Sequence, residues 1–185
     1  MDEKLNVAKF LLHPEWLDKK EECVKYSFHG IVIKYRRIYA PRFEAKNIQI
    51  SIVGQSYNEI VAHPQAVSVI PHTLIDNAAK YSPRYGKIEI YVQDIENTID
   101  FSVSSFGPLI KPDEREKIFQ PFYRTTSAKQ LEEEGAGYGL YISQLIAKKH
   151  LGSVIEVKQS TTEEFQNCYR TTFSINIPLK AVILP

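Results

Sequence analysis

The spacing of apolar residues constrains the fold of this chain most, because it changes repeatedly between the period of a strand and that of a helix. Isoleucines recur at every second position over residues 48–52, which predicts a strand with one buried face. Beyond Pro64, apolar residues recur every three or four positions as far as Ser82, which predicts a helix with one face in a core. We expect Pro71 to kink or restart that helix.

Further elements follow from the same two periods. They are an amphipathic helix over residues 26–46 that is disturbed near Pro41, a hairpin over 88–92 and 99–103, a helix over 140–149, and two closing strands over 153–157 and 171–177. This order predicts an α+β fold, a two-layer sandwich with a mixed sheet and helices on one face. Residues 1–25 show no strand alternation and are interpreted as a helical or irregular leader or linker before a domain over residues 26–185.

Composition narrows the class of protein. The chain has 185 residues, of which 43% are hydrophobic, enough for one core. Its 23 basic and 22 acidic residues nearly cancel, so we expect neither a nucleic-acid partner nor direct membrane contact. Cys23 and Cys168 lack the spacing of a zinc site or disulfide scaffold, and no apolar run is long enough to span a membrane. We expect a cytoplasmic location, either as a soluble protein or as the cytoplasmic part of something larger.

The predicted helix after Pro64 carries a polar face with the chemistry of a site. Asn77, Lys80 and Tyr81 stand at positions i, i+3 and i+4, so their side chains share one face. An asparagine oxygen suits Mg²⁺, and a nearby lysine can counter phosphate charge. By itself this spacing also fits a solvated helix face.

A glycine-rich segment precedes the helix predicted over residues 140–149. Gly135, Gly137 and Gly139 allow the backbone to approach a phosphate, and the amides that begin the next helix favour an anion. A flexible loop would have the same composition. The preceding run of glutamates over residues 132–134 is not a strand, which argues against a dinucleotide-binding fold, and we interpret its side chains as solvated.

A third segment combines aromatic residues with an arginine. Arg124 follows Phe119 and Phe122, and an arginine at the mouth of a mobile segment can reach a terminal phosphate. The two phenylalanines are interpreted as anchors of that segment or as core residues.

Together these segments resemble the N, G1, F and G2 boxes of the ATP-binding catalytic domain of sensor histidine kinases, which has the Bergerat fold shared with gyrase, Hsp90 and MutL. The resemblance runs from about residue 45 to residue 179 and is strongest over 74–83. It implies ATP and Mg²⁺ as ligands. It implies the metal at Asn77, nucleotide contacts at Lys80, Tyr81, Ser105 and Gly107, a phosphate-facing arginine at Arg124, and a lid hinge at Gly135, Gly137 and Gly139 that leads into Leu140.

The chain departs from that family in the G1 box. Ser105 stands where the family has an aspartate that accepts a hydrogen bond from the adenine amino group, and Leu109 replaces the second glycine. A neutral hydroxyl in place of a carboxylate is expected to weaken adenine binding by about tenfold. Ser105 and Leu109 therefore leave open a pseudokinase that senses nucleotide or serves as a scaffold.

A second departure concerns ATP hydrolysis. Thr73 lies one turn before Asn77, where hydrolysing relatives have a water-activating glutamate, and threonine is no base at neutral pH. Asp76 points about 100° away around the helix and is expected to pair with Lys80 instead. Efficient hydrolysis of ATP is not expected.

None of the five histidines lies in the sequence context of a phosphoacceptor; they are His13, His29, His63, His72 and His150. The resemblance therefore implies a domain that donates the γ-phosphoryl group to a histidine on a separate dimerisation domain. A response regulator would be an indirect partner. A serine kinase of the anti-sigma type, which shares the fold, is the other alternative.

Overall fold

The computed structural model describes residues 3–18, 22–131 and 135–181. Helices and strands are interspersed along these ranges. In chain order the elements are α1 (Glu3–Leu12), a 3-10 turn (Pro14–Asp18), β1 (Val24–Ser27), α2 (Phe28–Ala45), β2 (Gln49–Val53), β3 (Glu59–Ala62), α3 (Pro64–Tyr81), β4 (Lys87–Ile95), β5 (Thr98–Gly107), two 3-10 turns (Pro112–Glu114 and Lys117–Phe119), α4 (Thr126–Leu131), α5 (Gly139–Leu151), β6 (Glu156–Gln159) and β7 (Tyr169–Pro178).

The main sheet has five strands in the order β2-β4-β5-β7-β6. The β2 and β4 strands are parallel, and the remaining neighbours are antiparallel, so the sheet is mixed as predicted. The expected hairpin is formed by β4 and β5. A second, two-stranded sheet pairs β1 with β3.

One face of the main sheet forms the core together with the helices. Along β4 and β5, buried Ile90 and Val103 alternate with half-buried residues, as a sheet covered on one face requires. Helix α3 lies at the centre and packs against α2, α5 and β5. This arrangement confirms the α+β two-layer architecture.

The N-terminal segment packs on the same core. Helix α1 contacts α3 and α5, and the side chains of Phe10 and Leu17 are fully buried. The buried His150 ring ties the segment down, since Nε2 accepts a 3.0 Å hydrogen bond from the His63 amide and Nδ1 donates to the Leu17 carbonyl oxygen at 3.1 Å. The boundary between leader and domain at residue 25 stays a prediction. Within the described residues, every helix is too short or too polar to cross a bilayer.

Both prolines expected to disturb helices are accommodated. Pro41 lies inside α2 and Pro71 inside α3, and each helix continues through its proline. Neither helix ends and restarts at its proline, because each proline removes only one backbone hydrogen bond and the buried faces of both helices hold them against the core. A kink at either proline stays a prediction. Two boundaries also shift: residues before Phe28 form β1, and the strand predicted over 153–157 begins at Glu156.

Candidate functional site

A cleft of about 690 Å³ opens between α3, the ends of β5 and β7, and the segment that leads into α5. The residues predicted from the sequence as site residues all line this one cleft. They are Asn77, Lys80, Tyr81, Ser105, Gly107, Arg124, Gly135, Gly137, Gly139 and Leu140. Residues separated by more than 60 positions in sequence therefore meet in one concave surface.

The last two turns of α3 supply one wall of the cleft. Asn77 is half-buried, and its amide makes no hydrogen bond to another residue in the described part of the chain. Lys80 forms the expected ion pair with Asp76, one turn earlier. Arg42 of α2 also reaches Asp76, with Nη1 2.7 Å from the carboxylate oxygen. Asp76 is thus held by two cations, whereas Asn77 is available for a ligand.

The C-terminus of α3 is held by a lysine from the end of α2. The ammonium group of Lys46 donates hydrogen bonds to the carbonyl oxygens of Ala79, Lys80 and Ser82 at 2.8, 2.7 and 3.1 Å. These carbonyls lie at the negative end of the helix, where a cation is stabilising. Lys46 therefore fixes the turn that carries the polar face of α3.

The opposite wall is the glycine segment and the start of α5. Gly137 has a φ of +75°, and a β-carbon there would lie 2.8 Å from the backbone carbonyl carbon of Phe122. The residue that precedes α5, Tyr138, makes no side-chain capping hydrogen bond. The first amides of α5 therefore face the cleft without a capping side chain, which suits an anion. The prediction that glutamates 132–134 are solvated lies outside the described residues.

Arg124 joins the aromatic segment to the glycine segment. Its guanidinium donates to the carbonyl oxygens of Gly135 and Ala128, both at 3.2 Å, while lining the cleft. The two phenylalanines differ: Phe119 packs against the core, but Phe122 is 66% exposed and meets the Tyr138 ring edge-to-face at 5.6 Å. The interpretation as core residues holds for Phe119 alone.

The end of the cleft beside β5 and β7 is apolar with a few hydroxyl groups. Val103, Ile110 and Phe173 line it beside the hydroxyls of Ser105 and Thr171. The Ser105 hydroxyl makes no hydrogen bond within the described part of the chain. A flat, largely apolar ring with polar edges fits such a surface.

Leu109 does not block this end. Its side chain is 37% exposed and lines a separate cavity of about 400 Å³. The backbone of Leu109 does not adopt a positive φ, so the loop does not require glycine there. The departure at this position leaves Ser105 in the cleft.

The described side chains that line the cleft carry a net positive charge. Among the described lining residues, one is acidic, Asp76, and four are basic: Arg42, Lys46, Lys80 and Arg124. At the edge, the Tyr39 hydroxyl lies 2.9 Å from His72 Nδ1, and burial, with a further contribution from Asp76, raises the pKa of that tyrosine. The tyrosine therefore stays neutral. These described side chains attract an anionic ligand.

Four residues that line or border the cleft were not predicted from the sequence. Arg42 lies in the last turn of α2 and Lys46 directly follows it, and both contact α3. Thr171 and Gln159 lie on β7 and β6, directly opposite each other. Only the strand register brings Thr171 into the cleft lining and Gln159 beside it, and the sequence carries no signal for that register.

Comparison with known proteins matches the part of the chain that carries most of the cleft residues. A family model described as "Histidine kinase-, DNA gyrase B-, and HSP90-like ATPase" matches residues 63–181. The chain is 35% identical over 95 residues to the sensor histidine kinase CpxA of Escherichia coli. These 95 residues cover 51% of this chain and 20% of CpxA. It is 31% identical over 132 residues to the histidine-protein kinase/phosphatase MprB of Mycobacterium leprae, covering 69% of this chain and 24% of MprB. The chain thus spans about a fifth to a quarter of these relatives.

Solved structures show the same fold. The catalytic domain of histidine kinase ThkA superposes with a TM-score of 0.71 at 22% identity, covering 86% of this chain and 97% of that domain. Full-length ShkA, solved in complex with AMPPNP, gives a TM-score of 0.72 at 22% identity and covers 99% of this chain and 37% of ShkA. At this identity the likeness concerns architecture alone.

Proposed function

The chain belongs to the family of histidine kinase-, DNA gyrase B- and HSP90-like ATPases, and we propose that it is the ATP-binding catalytic domain of a two-component sensor histidine kinase. The cleft carries this proposal, because it combines an unengaged asparagine amide, an uncapped helix start behind a glycine segment and an excess of basic side chains. CpxA and MprB are sensor kinases, which favours histidine over serine as the acceptor. We propose a cytoplasmic location, as part of a larger sensor.

The two ends of the cleft take different parts of the nucleotide in this proposal. The base occupies the apolar end, against Ser105, Gly107 and Tyr81. The phosphates occupy the end formed by the glycine segment and the first turn of α5, which includes Leu140. Catalysis then consists of holding the phosphates in place and neutralising their charge.

The residues at the phosphate end fit a magnesium ion shared with the phosphates. Mg²⁺ takes few protein oxygens and is usually held by one or two of them together with phosphate oxygens and water. The half-buried amide of Asn77 offers such an oxygen. When bound, the ion would neutralise developing charge on the phosphates. Lys80 and Arg124 supply the remaining positive charge from the protein.

The acceptor is proposed to lie on another domain. His150 and His63 are buried and engaged with the N-terminal segment, so neither side chain is accessible for modification. We propose that the acceptor is a histidine on a helical dimerisation domain and that a response regulator is an indirect partner. Thr73 is buried against the start of α5 and offers no base to activate water, which supports transfer over hydrolysis.

Nucleotide titration tests the proposal. ATP should bind more tightly with Mg²⁺ than without it, and Asn77→Ala should weaken binding in Mg²⁺ by about tenfold, or about 1.4 kcal/mol. Asn176→Ala, on an exposed position of β7, serves as the matched control and should bind as the original chain does. A folded Asn77→Ala protein with unchanged Mg²⁺ dependence would contradict the metal assignment, and absence of any ATP binding would contradict the function.

Phosphoryl transfer is tested by mixing the chain with Mg²⁺-ATP and the dimerisation domain of its parent kinase. The expected product is acid-labile phosphate on that domain and none on this chain. Acid-stable phosphate would indicate a serine acceptor instead. Label on this chain alone would show that one of its own histidines is the acceptor.

A further inference from the structure

Three side chains form one row across the sheet at the apolar end of the cleft. Ser105 on β5 lies directly opposite Thr171 on β7, and Thr171 lies directly opposite Gln159 on β6. Side chains of directly opposed residues point to the same face of a sheet and are close enough to interact. Gln159 is therefore adjacent to the cleft, although it does not line it.

The amide of Gln159 holds the loop that follows β5. Its Oε1 accepts a 2.8 Å hydrogen bond from the Ile110 amide, and its Nε2 donates to the Pro108 carbonyl oxygen at 2.9 Å. These partners fix the orientation of the side chain, because a backbone amide can only donate and a carbonyl oxygen can only accept. The two residues that flank Leu109 are thus tied to β6.

The second proton of Gln159 Nε2 is directed to the cleft. It is donated to the hydroxyl oxygen of Thr171 at 2.7 Å. The Thr171 hydroxyl in turn makes only a long bond, 3.3 Å, to the Tyr169 carbonyl oxygen. Because this bond is long, the hydroxyl can turn its proton from the Tyr169 carbonyl oxygen to a ligand, while the bond from Gln159 occupies one of the two lone pairs of the Thr171 oxygen.

We propose that Gln159 is a positioning residue for the purine base. It sets the shape of the apolar end through Pro108 and Ile110, and it sets the polarity of that end by making Thr171 a donor to a ring nitrogen of the base. This inference rests on the proposed function, since it assigns the base to that end of the cleft. The phosphate end lies on other elements and does not depend on Gln159.

The test compares two ligands and two glutamines. Gln144 on α5 clamps Ile155 in the same way, with hydrogen bonds of 2.8 and 3.0 Å to its amide and carbonyl groups, and it lies outside the cleft lining. Gln159→Met and Gln144→Met each remove one such clamp at similar side-chain volume. Binding of ADP and of inorganic tripolyphosphate, both with Mg²⁺, is then measured by calorimetry.

Gln159→Met is expected to weaken ADP binding by about fivefold while leaving tripolyphosphate binding unchanged. Gln144→Met should leave both affinities unchanged. Gln159→Glu keeps the acceptor for the Ile110 amide but loses both donated hydrogen bonds, so it should also weaken binding of ADP and leave binding of tripolyphosphate unchanged. This second variant decides the question if Gln159→Met does not fold. Equal losses for both ligands, or ADP affinity equal to that of the original chain in a folded Gln159 variant, would overturn the proposal. A chain that binds tripolyphosphate but not ADP before any substitution would instead contradict the proposed function.

Discussion

A β-carbon placed on Gly139 would lie 3.1 Å from the Cγ2 methyl carbon of Thr73, so the first turn of α5 rests directly on α3. Thr73 is buried, and Asn77 follows it by one turn on the same helix. The start of α5 and the polar face of α3 are therefore held close together by a contact that could take a methyl group only if its neighbours shifted by a few tenths of an ångström.

Adding that methyl group should destabilise the fold. The backbone of Gly139 does not adopt a positive φ, so the cost of Gly139→Ala arises from the contact with Thr73 alone. We expect a loss of about 1–2 kcal/mol in the free energy of unfolding, measured by urea denaturation. Thr73→Ser removes the methyl carbon concerned, and the double variant should recover most of the loss. Additive effects of the two changes would contradict this explanation.

Local spacing was sufficient to predict the main elements but not how they meet. The alternation in residues 88–92 and 99–103 gave both strands of the hairpin, because burial of one sheet face imposes a two-residue period. Strands β1 and β3 were missed, since each has only four residues and pairs with a segment more than 30 positions away. Short strands that depend on distant partners carry too few residues to establish a period.

The candidate site, like the fold, contains residues that short segments of sequence predict and residues that they do not. Asn77, Lys80 and the three glycines were predicted because each lies within a short segment that resembles a family box, and all five line the cleft. Lys46 and Gln159 were not, because their roles arise from hydrogen bonds to backbone groups at least 33 positions away. A lysine or a glutamine that satisfies distant carbonyl groups has the same sequence appearance as a solvated one.

Removing the lysine that caps α3 should cost stability. Lys46→Met retains the aliphatic stem but leaves the three carbonyl oxygens at the end of α3 without their charged donor. We expect the free energy of unfolding to fall by about 1.5–3 kcal/mol. Lys149→Met, at an exposed position in the last turn of α5, is the matched control and should change it by less than about 0.5 kcal/mol. Similar losses in the two variants would show that the three hydrogen bonds of Lys46 contribute little.

The stability of the fold should decrease at acidic pH through His63. Burial lowers the pKa of the His63 imidazole from its usual 6.5, although the Glu22 carboxylate, 2.6 Å away, acts in the opposite direction. The unfolded chain therefore binds a proton at this histidine at a higher pH than the folded chain does. Stability is retained above about pH 6.5 and is lost as the pH falls below it.

Denaturation between pH 7.5 and pH 5 measures this effect. His63→Asn keeps a residue suited to the start of a helix and removes the titrating group, so its stability should vary less with pH. His13→Asn, whose histidine is half-exposed beside Glu15, should retain the full dependence. Parallel curves for the original chain and His63→Asn would exclude His63 as the source.

The last prediction concerns the base end of the cleft, where Ser105 replaces the carboxylate that the family resemblance implies. Ser105→Asp should restore a charged acceptor for the adenine amino group and tighten ADP binding by up to about tenfold, or about 1.4 kcal/mol. GDP should not gain, because guanine has a carbonyl oxygen in place of that amino group. Ser104→Asp is the matched control: it adds the same charge one residue away on the opposite face of β5, where Ser104 pairs with Thr172. Titrating ADP and GDP into all three proteins decides the matter. An equal gain for both nucleotides, or the same gain in Ser104→Asp, would mean that position 105 changes the general electrostatics of the cleft and does not recognise the base.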